Sequence, residues 1–114
     1  MRTSTATVLF VLYAGMVAFV SLRPIEAPGV GEWDKLYHLI VYLVFALLGY
    51  RVASSDRGYV ALCVGIFLYG CLMEIAQSFI PARVMSGFDV MANGAGVLLG
   101  WQLSNRLGRS RFWN

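Results

Sequence analysis

The stretch Met73–Gly96, "MEIAQSFIPARVMSGFDVMANGAG", holds Glu74, Gln77, Arg83, Asp89 and Asn93 between two runs of apolar sequence. An ionised side chain facing lipid is costly, so acids in such a place need a partner, a proton or a wet cavity. Pro81 and the pair Ser86–Gly87 are helix-breaking and turn-forming, so the stretch reads as a helix end, a turn and a helix start. That reading makes the chain a bundle of helices whose polar groups face inward.

Composition agrees. Of 114 residues, 59% are hydrophobic and 13% charged, where a soluble domain carries about a quarter charged residues. Mean hydropathy is +0.68. Too few charges remain to cover a water-facing surface, which points to one integral membrane domain spanning residues 1–114. Four spans follow, at about 6–22, 36–53, 59–80 and 88–103. Crossing a bilayer core takes about 20 helical residues. The first three qualify by length, and the fourth is short with a polar front that must face protein or water.

Arg2 precedes an apolar run that is long for a signal peptide, and "AFVSLRP" offers no small-x-small cleavage site, so the first span reads as a retained helix. With four spans, Arg2, Arg51, Arg57, Arg106, Arg109 and Arg111 fall on one side and Arg23, Lys35 and Arg83 on the other. The excess places both termini in the cytoplasm, in an all-α bundle of four transmembrane helices. The basic tail "RLGRSRFWN" suits an anionic inner-leaflet surface. Because the basic residues sit at helix ends, the net charge of +3 does not indicate nucleic-acid binding.

At 100° per residue, Asp89, Asn93, Gly96 and Gly100 share a face of the fourth span, with Ala92 and Ser104 beside them. A G-x-x-x-G stripe lets helices approach closely in lipid, within the chain or in a homo-oligomer through Gly96 and Gly100. Gly70, Glu74, Gln77 and Ser78 share a face of the third span, with Glu74 about 9 Å inside an end at Ile80. Asp34, His38, Tyr42 and Ala46 align on the second span, beside Lys35. The order of helices brings these groups together at the extracytoplasmic end. Phe88, Trp33 and Tyr37 are expected at the outer interface, Tyr59 and Trp101 near the inner one.

The structural alternatives are concrete. Asp89 serves as a helix-start residue, Arg83 and Lys35 as interface residues, His38 and Tyr42 as packed groups with satisfied hydrogen bonds, Asn93 as a bridge between helices. Glu74 fits this account least. Cys63 and Cys71 lie eight residues apart on one helix, about 12 Å along the axis and too far for a disulfide. No Cys/His spacing marks a metal, so neither metal nor cofactor is expected. Two carboxylates and His38 form a set that a divalent ion can use, without a spacing that signals one.

The strings "DKLYHLIVY", "EIAQSFIPAR" and "SGFDVMANGAGVLLG" resemble the VanZ-like family of small bacterial membrane proteins, over Asp34 to Gly100. Asp34, Lys35, His38, Glu74, Gln77, Arg83, Ser86, Asp89, Asn93 and Gly96 carry the resemblance. The family is named for a protein associated with teicoplanin resistance. The resemblance implies a multi-pass protein of the bacterial inner membrane, near lipid-linked cell-wall intermediates, and brings no established reaction.

Two functions are expected to compete. In the first, an outer pocket binds an anionic lipid, a lipid-linked cell-wall intermediate or a glycopeptide. Lys35 and Arg83 pair with phosphate or carboxylate there, while Tyr42, Gln77 and Asn93 supply neutral hydrogen bonds. In the second, the chain is an enzyme that hydrolyses or transfers a lipid head group, with His38 oriented by Asp34 as acid/base and Glu74 or Asp89 as second carboxylate. A proton-coupled carrier fits least, since no internal repeat is visible.

Overall fold

A computed structural model describes the backbone of residues 3–22, 31–79 and 87–107, and their side chains except at positions 3, 31–35 and 87. These residues form four α-helices and no strand: α1 (Thr3–Leu22), α2 (Gly31–Val52), α3 (Asp56–Gln77) and α4 (Gly87–Leu107).

The helix ends differ from those that hydropathy suggests, and local chemistry explains most of the differences. α2 begins five residues early, because the polar run Gly31–Lys35 continues a helix that hydropathy cannot see. α3 starts at Asp56 because Ser55, in extended backbone, accepts a hydrogen bond from the Gly58 N–H at 2.9 Å. It ends at Gln77 rather than Ile80. The Ser78 hydroxyl donates to the Ile75 carbonyl, and a turn over Ser78–Phe79 follows. Glu74 therefore lies in the last turn, about 4.5 Å from the end rather than 9 Å. α4 runs on to Leu107, with Arg106 placed favourably in its last turn.

Among the described residues, α1 and α3 are long and apolar enough, taken alone, to cross a membrane, and α2 has a shorter apolar run at Leu36–Val52. All four helices nevertheless expose large apolar side chains, among them Leu12, Phe19, Ile40, Leu68, Leu72, Met91 and Leu98. The buried groups include Glu74, Gln77, Asp89, Asn93 and Ser104. A polar inside and an apolar outside suit a lipid environment.

The most extensive packing is between α2 and α4, and glycine causes it. A Cβ on Gly96 would sit 2.2 Å from the Leu39 carbonyl oxygen, and one on Gly100 2.6 Å from the Ala46 Cβ and 2.8 Å from the Leu43 oxygen. The G-x-x-x-G stripe is thus occupied by α2 of the same chain. Matched increments (Gly96 on Leu39, Gly100 on Leu43 and Ala46) show that α2 and α4 run parallel.

The core centres on Phe45, with Phe10, Tyr13, Tyr42 and Tyr69 rings 5.1–5.7 Å from it. Hydrogen bonds tie α1 to the bundle: Tyr13 donates to the Val41 carbonyl (2.6 Å), Tyr69 to that of Ala14 (2.6 Å) and Gln77 Nε2 to that of Ser21 (2.8 Å). The last bond places the ends of α1 and α3 at one level.

Tyr59 corrects an expectation. It is fully buried rather than interfacial, donates to the Ala46 carbonyl at 2.8 Å and shares a 3.1 Å hydrogen bond with Ser104. Trp101 is half-buried against the core. Phe88 and Tyr37 are exposed. Cys63 is buried, Cys71 half-buried, and both are free thiols.

Candidate functional site

Parallel packing of α2 and α4 fixes the level of His38, immediately before the crossing at Leu39–Leu43, beside Asn93, one turn before Gly96. His38 Nδ1 and Asn93 Oδ1 are 3.0 Å apart. An amide oxygen only accepts, so Nδ1 is the donor in this contact.

Two carboxylates flank the ring. Glu74 Oε1, from the end of α3, lies 3.9 Å from Nδ1, and Asp89 Oδ2, from the first turn of α4, lies 3.9 Å from Nε2. At that distance they act on the ring as charges rather than as direct hydrogen-bond acceptors. Glu74 and Asn93 are each 1% exposed and Asp89 4%. The His38 side chain keeps 15% of its surface, at a cleft of about 30 Å³ shared with Ser21, Tyr37 and Tyr42. That is room for a single water.

Gly70 makes the approach of α3 to this group close. A Cβ there would meet Tyr42 Cε2 at 2.9 Å and Asn93 Nδ2 at 3.0 Å. Tyr42 lies in the core beneath the cluster, 3% exposed. Gln77 is buried nearby, with its amide nitrogen committed to Ser21. The Asn93 Nδ2 has no hydrogen-bond partner among the described residues.

The structure thus brings His38, Glu74, Asp89 and Asn93 together, with Tyr42 and Gln77 adjoining. The side chains of Asp34 and Lys35, and all of Pro81, Arg83 and Ser86, lie outside the described residues. Sequence reading did not single out Tyr13 and Tyr69, which hold α1 in place, nor the fit of Gly70 against Asn93. Helical phase alone placed Gly70 on the right face.

A larger groove of about 460 Å³ runs between α3 and α4, lined by Val60, Val64, Phe67, Val97, Leu98 and Trp101 among others. Its walls are apolar, and it carries none of the ionisable groups of the cluster.

A family model, VanZ/LLP1, matches residues 4–108. The chain belongs to the VanZ-like family. The match takes in all four helices, including α1, and so reaches well beyond the Asp34–Gly100 stretch whose motifs suggested it. No curated protein and no solved structure matches the chain.

Proposed function

We propose that this VanZ-like protein spans the bacterial inner membrane four times with both termini in the cytoplasm. Its outer end holds a polar site for the anionic head group of a lipid or lipid-linked cell-wall intermediate. One observation carries the reading: His38, Glu74, Asp89 and Asn93, from three helices, gather buried at one end of a bundle whose outside is apolar. Exposed apolar residues on α2 and α4 support their crossing the membrane beside α1 and α3.

The described cluster is acidic, so contact with an anion falls to Lys35 and Arg83, with bidentate geometry open to the arginine. Asn93 and Gln77 add neutral groups, and Tyr42 supports the floor. A glycopeptide is a ligand of the same site only through a comparable anionic group.

The His38 geometry favours a second reading, a lipid head-group hydrolase. With Nδ1 held by Asn93, Nε2 is the ring nitrogen to take a proton from water as the oxygen attacks the terminal phosphorus of a diphosphate, and to return it to the leaving monophosphate oxygen.

Native mass spectrometry of the full chain, loaded with phosphatidylglycerol or polyprenyl phosphate, tests the binding. One retained anionic lipid, lost in Arg83→Ala and Lys35→Ala, is expected; equal retention of phosphatidylcholine overturns the reading. Release of phosphate from labelled polyprenyl diphosphate, abolished by His38→Ala, selects the hydrolase.

A further inference from the structure

We propose that His38, Glu74 and Asp89 form a binding site for a divalent transition-metal ion, with Asn93 as the residue that positions the histidine. The inference deepens the head-group reading, because a cation is the natural bridge between an acidic cluster and a phosphate. It needs only the cluster's geometry, however, and not the identity of any lipid.

The geometry has three parts. First, the donor set is mixed and convergent. One imidazole and two carboxylates, each from a different helix, offer ligand atoms that all lie within 4.8 Å of one another. Donors on one ion at about 2.1 Å are at most about 4.2 Å apart. The 3.9 Å separation of His38 Nε2 from Asp89 Oδ2 already meets that limit; Glu74 Oε1 lies 3.9 Å from the other ring nitrogen and is the donor that moves to close the set.

Second, the imidazole is arranged as a metal ligand usually is. A ligating histidine typically donates its other ring N–H to an oxygen that fixes the tautomer. Here Nδ1 meets Asn93 Oδ1 at 3.0 Å, and Nε2 lies 3.9 Å from Asp89 Oδ2. The Asn93 amide, 1% exposed, leaves its Nδ2 without a partner among the described residues.

Third, the charges match. Two carboxylates and a neutral imidazole compensate a divalent ion inside a low-dielectric bundle. The imidazole selects against Mg²⁺ and Ca²⁺, and the absence of thiolates from the set against Cu⁺. Zn²⁺ is therefore the probe. Three protein ligands leave a further coordination position for water or a phosphate oxygen.

The chain contains a single histidine, which makes the test direct without any variant. In protein purified whole in lipid nanodiscs of phosphatidylcholine and ¹⁵N-labelled at histidine, Zn²⁺ is titrated and the two ring nitrogens are followed. Expected is saturation at one equivalent, with Nε2 shifting to a metal-bound value and Nδ1 remaining protonated. Unchanged nitrogens at ten equivalents, or ligation through Nδ1, overturn the proposal. Glu74→Gln and Asp89→Asn should each lower affinity at least tenfold, and Asn93→Ala, which leaves all three ligands, by about 10- to 100-fold. Affinity unchanged in all three variants also overturns it. Because phosphatidylcholine has no net charge, failure here leaves anionic-lipid retention to be judged separately.

Discussion

His38 Nδ1 and Asn93 Oδ1 are 3.0 Å apart although 55 residues separate them in the chain. Their meeting depends on two glycines that lie one and two turns further along α4. Gly96 and Gly100 let the backbones of α2 and α4 touch, and that contact sets the rotation and level at which imidazole and amide face each other.

Replacing Asn93 with Leu keeps the volume and removes the acceptor. A buried Nδ1–H left without its acceptor costs about 1–3 kcal/mol, so thermal unfolding in mild detergent should shift down accordingly. The ring should also lose its tautomer preference, read as a change in the ¹⁵N shifts of the one histidine. An unaltered tautomer would show that Asn93 does not orient His38.

Gly96→Ala and Gly100→Ala should each destabilise by roughly 1–3 kcal/mol, since the new methyl meets backbone or a Cβ that cannot swing aside. Gly65→Ala is the control. Nothing lies within 4 Å of a Cβ there, so the change should stay within about 1 kcal/mol. Equal effects at positions 65 and 96 would refute the close α2–α4 contact.

These contacts explain what was legible in the sequence. In a bundle with an apolar outside, polar and small residues mark the inner face, so helical phase correctly grouped Asp89, Asn93, Gly96 and Gly100, and Glu74 with Gln77 and Gly70. Ser78 broke the pattern: it is exposed because the helix ends before it. Helix ends were less legible because hydropathy stops where polarity starts, whereas α2 begins in "GEWDK" and α4 continues through "SNRL". Tyr59 was misplaced for a similar reason. An aromatic near a helix start suggests an interface, and only the packed structure shows Ala46 and Ser104 offering oxygens to its hydroxyl. The ligand-like set of His38, Glu74 and Asp89 takes one residue from each of three helices, so no local spacing announced it.

Tyr59→Phe should cost about 0.5–1.5 kcal/mol, the net worth of a buried neutral hydrogen bond, which in membrane bundles tends toward the lower end. Ser104→Ala should cost less, because the bond of Tyr59 to Ala46 survives. The double variant should then fall short of the sum of the two singles, since both remove the Tyr59–Ser104 bond. Simple additivity in unfolding midpoints would mean that the two hydroxyls do not interact.

The proposed four-span topology predicts that the α2–α3 connection and the α3–α4 connection lie on opposite sides of the membrane. Cys63 and Cys71 are the chain's two cysteines, and replacing both with Ala leaves a background for single probes. Ser54→Cys, at an exposed position between α2 and α3, should resist a membrane-impermeant maleimide added outside intact cells and react once the cells are opened. Arg83→Cys should react from outside in both cases. The distribution of Lys and Arg assigns the first connection to the cytoplasm. If Ser54→Cys and Arg83→Cys label from the same side, α3 does not cross and the four-span arrangement fails. If they label from opposite sides but in the reverse sense, the bundle stands, and the polar cluster opens to the cytoplasm instead of the envelope.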